Sequence, residues 1–418
     1  MNQLAVAIFW ILLGLVTGQA LMTCGFIWVL FRWKRHAATE QYRPKAAVVL
    51  CLRGTDPFLA DCLEALLKQD YPDYDVRVIV DSREDAAWQI AEEVVDRCNV
   101  TNVQISPLTR RHDTCSLKCS SVVQAVSQLD ESYEVVALLD ADTVAHPDWL
   151  RELVAPLACE RVGVSTGNRW YMPDKRTWGA LVRYAWNAAA VVQMYLYRIP
   201  WGGSLALKTR VLRESDLLDR WQKAFCEDTM LYRVLRKQEF RVVFVPSLMM
   251  VNREACSISN YFRWVRRQLL AARLYHPGWP GVVAHAIATS LTLLVTAALA
   301  ITALATGRPE TLIWAGGGLA LYMAGMLLLL IPMEAGVRRI VRARGEPAAW
   351  LTAFDAAKLL AAVGATQIIY PIALVSTIFV RTAAWRGVSY RIRAPFDIRL
   401  IEYRPYEADS SSKQTESL

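Results

Sequence analysis

Apolar residues along this chain follow two patterns, and the change from one to the other divides it. Residues 4–31 are an uncharged run of 28, with Arg32, Lys34 and Arg35 directly after it. That length exceeds the roughly 20 residues a helix needs to cross a bilayer. A secretory signal carries its positive charge ahead of a shorter apolar core. Here the charge follows, which predicts an uncleaved transmembrane helix ending in the cytoplasm. Residues 286–306, 312–333 and 359–380 are uncharged stretches of 21, 22 and 22, each long enough to span. The loop behind the second carries Arg338, Arg339, Arg342 and Arg344, which puts it on the same side as the end of the first helix. The third stretch leaves two readings. A single crossing puts Arg381, Arg386, Arg391, Arg393 and Arg399 outside, against the charge rule, whereas a re-entrant hairpin containing Gln367 and Pro371 keeps them inside.

From about Lys45 to Tyr275 the pattern changes. Ala46–Leu52, 76–80, Val135–Leu139 and 241–245 are short aliphatic runs of the kind buried parallel strands show. Residues 56–69 read as a helix with Leu59, Cys62, Leu63, Leu66 and Leu67 on one face. Strands alternating with helices predict an α/β domain with a mostly parallel, nucleotide-binding type of sheet. The expected organisation is a transmembrane helix in 1–35, a catalytic domain in 45–255 and an amphipathic interface helix in 256–275. A C-terminal transmembrane region in 280–380 and a basic tail in 381–418, disordered over its last ten residues, complete it.

Composition fits that division. The chain is 54% hydrophobic and 21% charged, too apolar for disorder and too charged to lie wholly in a membrane. The net charge of +8 suits a membrane protein with basic cytoplasmic loops; no Lys/Arg run with interleaved aromatics supports nucleic-acid binding. Nine cysteines without a Cys-x-x-Cys predict neither a disulfide framework nor a zinc site.

Candidate chemistry begins at Asp140-Ala141-Asp142, two carboxylates directly after a strand. At the carboxyl edge of a parallel sheet they suit Mg2+ or Mn2+ holding a diphosphate, although acidic loops are also common without ligands. Glu227-Asp228 precede a helical segment, where acids are favoured by the helix dipole; an Asp fixed there also suits a general base. Asn260, Arg263, Trp264 and Arg267 share a helix face, which suits either lipid headgroups or a substrate diphosphate and acceptor. Gly202-Gly203-Ser204 reads as a turn or as a close approach of backbone to substrate, and Lys118 by itself as a surface lysine.

In this order the elements resemble family 2 glycosyltransferases of the GT-A fold, most of all the ceramide glucosyltransferase branch, over roughly Ala46 to Tyr275. The matching pieces are Leu52-Arg53-Gly54-Thr55-Asp56, Gln69-Asp70-Tyr71-Pro72, Val80-Asp81, Asp140-Ala141-Asp142, Gly202-Gly203-Ser204, Glu227-Asp228 and Arg263-Trp264. The resemblance implies a multi-pass membrane enzyme, its catalytic domain facing the cytoplasm, that moves a sugar from a UDP-sugar to a lipid hydroxyl. It implies Asp81 at the base, and Arg53, Lys118, Asp140, Arg263 and Arg267 around the nucleotide-sugar. Asp142, with Asp140, would hold the divalent metal, and Asp228 would be the base of an inverting displacement. Gly202, Gly203, Glu227 and Trp264 would face the acceptor. The family's Gln/Arg-x-x-Arg-Trp motif begins here with Asn260, which puts the ceramide assignment, not the family, in question. Basic residues around Trp385-Arg386-Gly387 also resemble that branch, which favours the hairpin reading of 359–380. The rival functions are a processive polysaccharide synthase and an inactive membrane-anchored binding protein.

Overall fold

Backbone hydrogen bonds left unpaired in an apolar interior are costly, so the aliphatic runs pair into a sheet and the amphipathic segments pack on it as helices. The computed structural model describes residues 1–32, 42–348 and 352–406, so Lys34, Arg35 and the last ten residues lie outside the described residues. After helix α1 (Asn2–Arg32) come β1 (Ala46–Leu52), α2 (Leu59–Leu67), β2 (Tyr74–Val80), α3 (Ala86–Cys98), β3 (Val103–Pro107), α4 (Leu117–Ser127) and β4 (Val135–Leu139). The domain continues through α5 (Trp149–Val154), β5 (Val162–Tyr171), α6 (Trp178–Tyr197), β6 (Ser204–Lys208), α7 (Thr209–Arg213), α8 (Leu217–Trp221), α9 (Leu231–Lys237), β7 (Arg241–Asn252) and α10 (Ile258–Tyr275).

Seven strands form one sheet in the order β3-β2-β1-β4-β6-β5-β7. The pairs β3–β2, β2–β1, β1–β4 and β5–β7 are parallel, and β6 runs antiparallel to both neighbours. Alternate residues serve opposite faces: Val48 and Leu50 pack with Leu63, Val76 and Trp149, whereas Val49 packs with Leu117, Val122 and Trp221. The Gln69-Asp70-Tyr71-Pro72 motif is a brace, because the Gln69 amide donates to Ala65 O and His146 O and accepts from Leu150 N.

Four helices are long and apolar enough to cross a membrane: α1, α11 (Trp279–Ala305), α12 (Pro309–Ala343) and α13 (Ala353–Ile378). Helices α1 and α12 run side by side in the same direction, with Asn2 on Glu310 at one end and Arg339 on Phe31 O at the other. Helix α13 departs from the hairpin expectation. It is one helix of 26 residues, opened by a Thr352–Asp355 capping box, with Pro371 inside it. Lys358 near its start donates to Arg176 O, and the carbonyls of Thr377 and Val380 at its end accept from Arg273 on α10. Both ends therefore touch the catalytic domain, and no hairpin is needed to bring the segment beyond back to it.

The tail expectation also needs correction. Residues 382–403 form an antiparallel sheet of β8 (Thr382–Trp385), β9 (Val388–Ala394) and β10 (Asp397–Tyr403). Val388, Tyr390, Ile392 and Ile398 are buried against Leu117, Cys119 and Trp221, while Arg391 and Arg393 alternate outward. This is a period-two strand pattern whose polar positions happen to be arginines. Ile392→Ala should cost about 2–5 kcal/mol of stability, the range for a truncated core aliphatic. The exposed Arg391→Ala should cost almost nothing; thermal unfolding of the two purified variants in detergent checks both.

Candidate active site

Parallel strands end at one edge, so Arg53 after β1, Asp81 after β2 and Asp140 after β4 meet there. The antiparallel β6 begins at that edge: Ser204 pairs with Leu139, which sets Gly202 and Gly203 beside Asp140. A Cβ on Gly202 would collide with the Glu227 carboxylate, and one on Gly203 with Trp201 and Asp140. The glycines are needed for close approach between the protein's own motifs.

Lys118, in the first turn of α4, is no surface lysine. Its ammonium lies 2.6 Å from Asp140 Oδ1 and 2.6 Å from Glu227 Oε1. Burial opposes the charge on Asp140, yet Lys118 and Arg169 together hold that carboxyl below its ordinary value. Burial pushes the Glu227 carboxyl up, with Lys118 opposing. Asp228 is held differently: Gly202 N–H donates to Oδ2 at 2.8 Å, and the Thr229 hydroxyl to Oδ1 at 2.8 Å.

Arg169, on β5, was not foreseen from the sequence. Its guanidinium donates to Asp140 Oδ2 at 3.1 Å and lies 3.7 Å from Asp142 Oδ2. It also donates to the Tyr171 hydroxyl at 3.0 Å and lies over the Trp201 ring. The only signal was one arginine inside an otherwise uncharged strand.

The α10 residues separate. Arg267 is half-buried, its charge interacting with Asp140 and Asp142 and its guanidinium over Trp385; burial and then Arg169 lower its pKa. Arg263, one turn earlier, is exposed and bonds Ser259 and Asn260 of its own helix, away from the carboxylates. Trp264 is buried edge-on to Tyr171 and Trp186, and its indole N–H has no partner among the described residues. The structure thus brings together Lys118, Asp140, Asp142, Gly202, Gly203, Glu227, Asp228 and Arg267, and leaves Arg263 outside. Arg53 and Asp81 form a buried ion pair.

Asp142 is the residue best able to hold a hard cation, since among the described residues its Oδ2 meets only Arg169 at 3.7 Å and the Asn252 amide at 3.4 Å. Among the described residues no three His, Cys, Asp or Glu side chains converge as a metal cage. One or two carboxylates fit the mode in which Mg2+ or Mn2+ takes its remaining oxygens from a substrate diphosphate and water.

A seven-stranded α/β sheet of this order, with acidic residues on the ligand-binding edge, is the GT-A arrangement. The family model described as "Glycosyltransferase like family 2" matches residues 44–271, over half of the chain, and the chain belongs to that family. Solved structures similar to it include the mannosyltransferase PcManGT from Pyrobaculum calidifontis in complex with GDP-Man and Mn2+. That likeness has 18% identity over 89% of this chain and 99% of the other, with a TM-score of 0.46. S. aureus TarS 1-349 is similar at 13% identity over 87% of this chain and 100% of the other, with a TM-score of 0.37. Glucosyl-3-phosphoglycerate synthase from Mycobacterium tuberculosis, in complex with Mn2+ and UDP-Glc, shares 13% identity over 60% and 85%, with a TM-score of 0.36.

Two predictions follow from this geometry. Gly202→Ala displaces Glu227 and the donor to Asp228, and misplacement of that kind should cost roughly 100-fold in turnover, measured by a transfer assay. The second concerns Asp56, whose carboxyl is pushed up to about 7 by burial and then by Asp142. In the unfolded chain this proton leaves near pH 4. Between about pH 4 and 7 the folded state therefore binds more protons, so stability falls as pH rises. Asp56→Asn should flatten that slope in unfolding curves of chelator-treated protein; an unchanged slope refutes the shift.

Proposed function

We propose that this glycosyltransferase is an inverting enzyme that transfers a sugar from a UDP-sugar, with UDP-glucose the favoured donor, to the hydroxyl of a membrane lipid such as ceramide. The observation that carries the reading is the carboxylate of Asp228. It is aimed by the Gly202 N–H beside the Lys118–Asp140–Glu227 group, in a domain packed against four helices apolar enough for a membrane.

In this reading Asp228 accepts the proton of the lipid hydroxyl as that oxygen attacks the anomeric carbon, in a single displacement that inverts the centre. Gly202 N–H and the Thr229 hydroxyl fix which oxygen of Asp228 faces the acceptor. Lys118, Arg169 and Arg267 supply fixed positive charge near the leaving diphosphate, where preorganised groups act most strongly. A divalent cation held by Asp142, with Asp140 beside it, would neutralise charge on that diphosphate. Trp264 lies behind Tyr171 and acts by positioning it. The catalytic domain faces the cytoplasm, where the basic ends of α1 and α12 lie.

The test is purified protein with a panel of UDP- and GDP-sugars and candidate lipids, products being weighed by mass spectrometry. A UDP-dependent glycolipid is expected; a growing polysaccharide, or no transfer from any UDP-sugar, overturns the reading. Asp228→Asn should lower turnover by about 100- to 10,000-fold while leaving UDP-sugar binding nearly intact. Asp142→Ala should lose activity together with the response to added Mg2+ or Mn2+, seen in the same assay and in metal-dependent UDP binding.

A further inference from the structure

Asp81 ends β2 on the ligand-binding edge, yet its carboxylate has no oxygen to spare. Oδ2 is taken by Arg53 and by the hydroxyl of Tyr403, which donates at 2.9 Å from the end of β10. Oδ1 lies 3.4 Å from Arg111 Nε, and Arg111 also donates to the Asp81 carbonyl at 3.3 Å. The Tyr403 ring lies against Arg111, with the guanidinium 4.0 Å from its centroid. Arg53 in turn donates to Arg386 O at 2.9 Å and Arg404 O at 2.5 Å. The Tyr406 ring covers Gly54, where any side chain would collide with it. The residues next to Asp81 are thus closed over by the β8–β9 turn and the end of β10.

These contacts belong to the tips of the C-terminal sheet, not to its body. The body is anchored by Val388, Tyr390, Ile392 and Ile398 in the core and by Leu400 N–H on Asp113 O at 2.7 Å. The tips carry polar contacts at the margin: Arg386 and Gly387 take positive φ in the turn, and Arg404 is exposed. Lifting the tips leaves Tyr390, Ile392 and Ile398 in the core and costs chiefly the packing of the half-buried Tyr403 ring.

We propose that the tip of the C-terminal sheet is a component of the donor site, in which the Tyr403 hydroxyl occupies Asp81 until a nucleotide base displaces it. This rests on the reading of Asp81 as the residue that binds the base. A base offering an imide N–H, as uracil does, replaces the phenolic O–H on the same carboxylate oxygen, and the strand end is released. Donor affinity is then the difference between two hydrogen bonds to one carboxylate, and Tyr403 sets it. Arg53 and Arg111 remain on Asp81 throughout, so the buried carboxylate keeps its paired charges.

The experiment is calorimetric titration of the full-length protein in detergent with UDP, for wild type, Tyr403→Phe and Asp81→Asn. Tyr403→Phe keeps the ring on Arg111 and removes only the competing donor, so UDP should bind about tenfold more tightly, as loss of one hydrogen bond to a charged group implies. A tail with a merely structural role gives weaker or unchanged binding in this variant, and either result overturns the proposal. Asp81→Asn separates the two layers: weakened UDP binding with no gain in Tyr403→Phe leaves the base reading standing and removes the displacement. Unchanged UDP binding in Asp81→Asn overturns both. Amide hydrogen exchange over residues 400–406 should quicken when UDP is added to wild type; added protection contradicts release of the strand.

Discussion

The ammonium of Lys118 sits 2.6 Å from carboxylates that come from two distant stretches of chain, Asp140 after β4 and Glu227 before α9. A buried carboxylate needs a partner, and here one lysine serves two, so the elements carrying all three must meet. The start of α4 is fixed for that purpose: Ser116 caps it by accepting from Cys119 N–H, and its own N–H donates to Ala224 O, two residues before Cys226. Trp221 Nε1 donates to Glu227 O at 2.8 Å from the other side. With Glu227 fixed, Asp228 follows, and the Gly202 N–H reaches it only because no Cβ stands in the way. Lys118, Asp140, Glu227, Asp228 and Gly202 are therefore one structural unit.

A second buried polar cluster ties this unit to the apolar helices. Glu334, on α12, accepts from Trp170 Nε1 and from the Tyr184 hydroxyl, each at 2.8 Å, and from Arg338 Nε at 2.6 Å. Trp170 is the β5 neighbour of Arg169, so the strand that carries the guanidinium to Asp140 is hydrogen-bonded to a membrane-type helix. Arg344, just past α12, donates to Ser247 O and Met249 O on β7, the strand beside β5. These bonds fix the height of the site against α12. A loose hinge between the two parts would break the Trp170 and Tyr184 bonds and leave Glu334 only Arg338 of its own helix.

How much of this was legible depended on whether the burial of each segment left a period. Strands β1 and β4 are buried on both faces and read as unbroken aliphatic runs, with bounds the structure reproduces. Strand β5 was not legible, because VGVSTGNRWY mixes glycine, asparagine and arginine at buried positions whose partners are hydrogen bonds. Arg169 was lost with it. The motif carboxylates stood out as candidates because their type and spacing suit chemistry on any fold, and the structure places Asp140, Asp142, Glu227 and Asp228 together. Arg263 and Arg267 share a helix face in sequence, but one turn of rise along α10 separates a solvent position from a half-buried one. In the C-terminal sheet, arginines at the outward positions looked like topology signals and hid the strand alternation.

The same sheet is constrained from both ends. Helix α13 stops at Ile378 and β8 starts at Thr382, so three residues connect them. At about 3.3–3.6 Å per residue, that link holds the start of β8 within about 14 Å of the helix end. The helix end is itself held by Arg273, and β9 is held by its buried Val388, Tyr390 and Ile392. Lifting the whole sheet would expose those apolar side chains to water, at roughly 1.5–3 kcal/mol each. Bending only the β8–β9 turn and the end of β10 breaks hydrogen bonds that water or a nucleotide can replace and disturbs the packing of the half-buried Tyr403 ring. Motion over Asp81 is therefore confined by the fold to the tips, where Tyr403 lies.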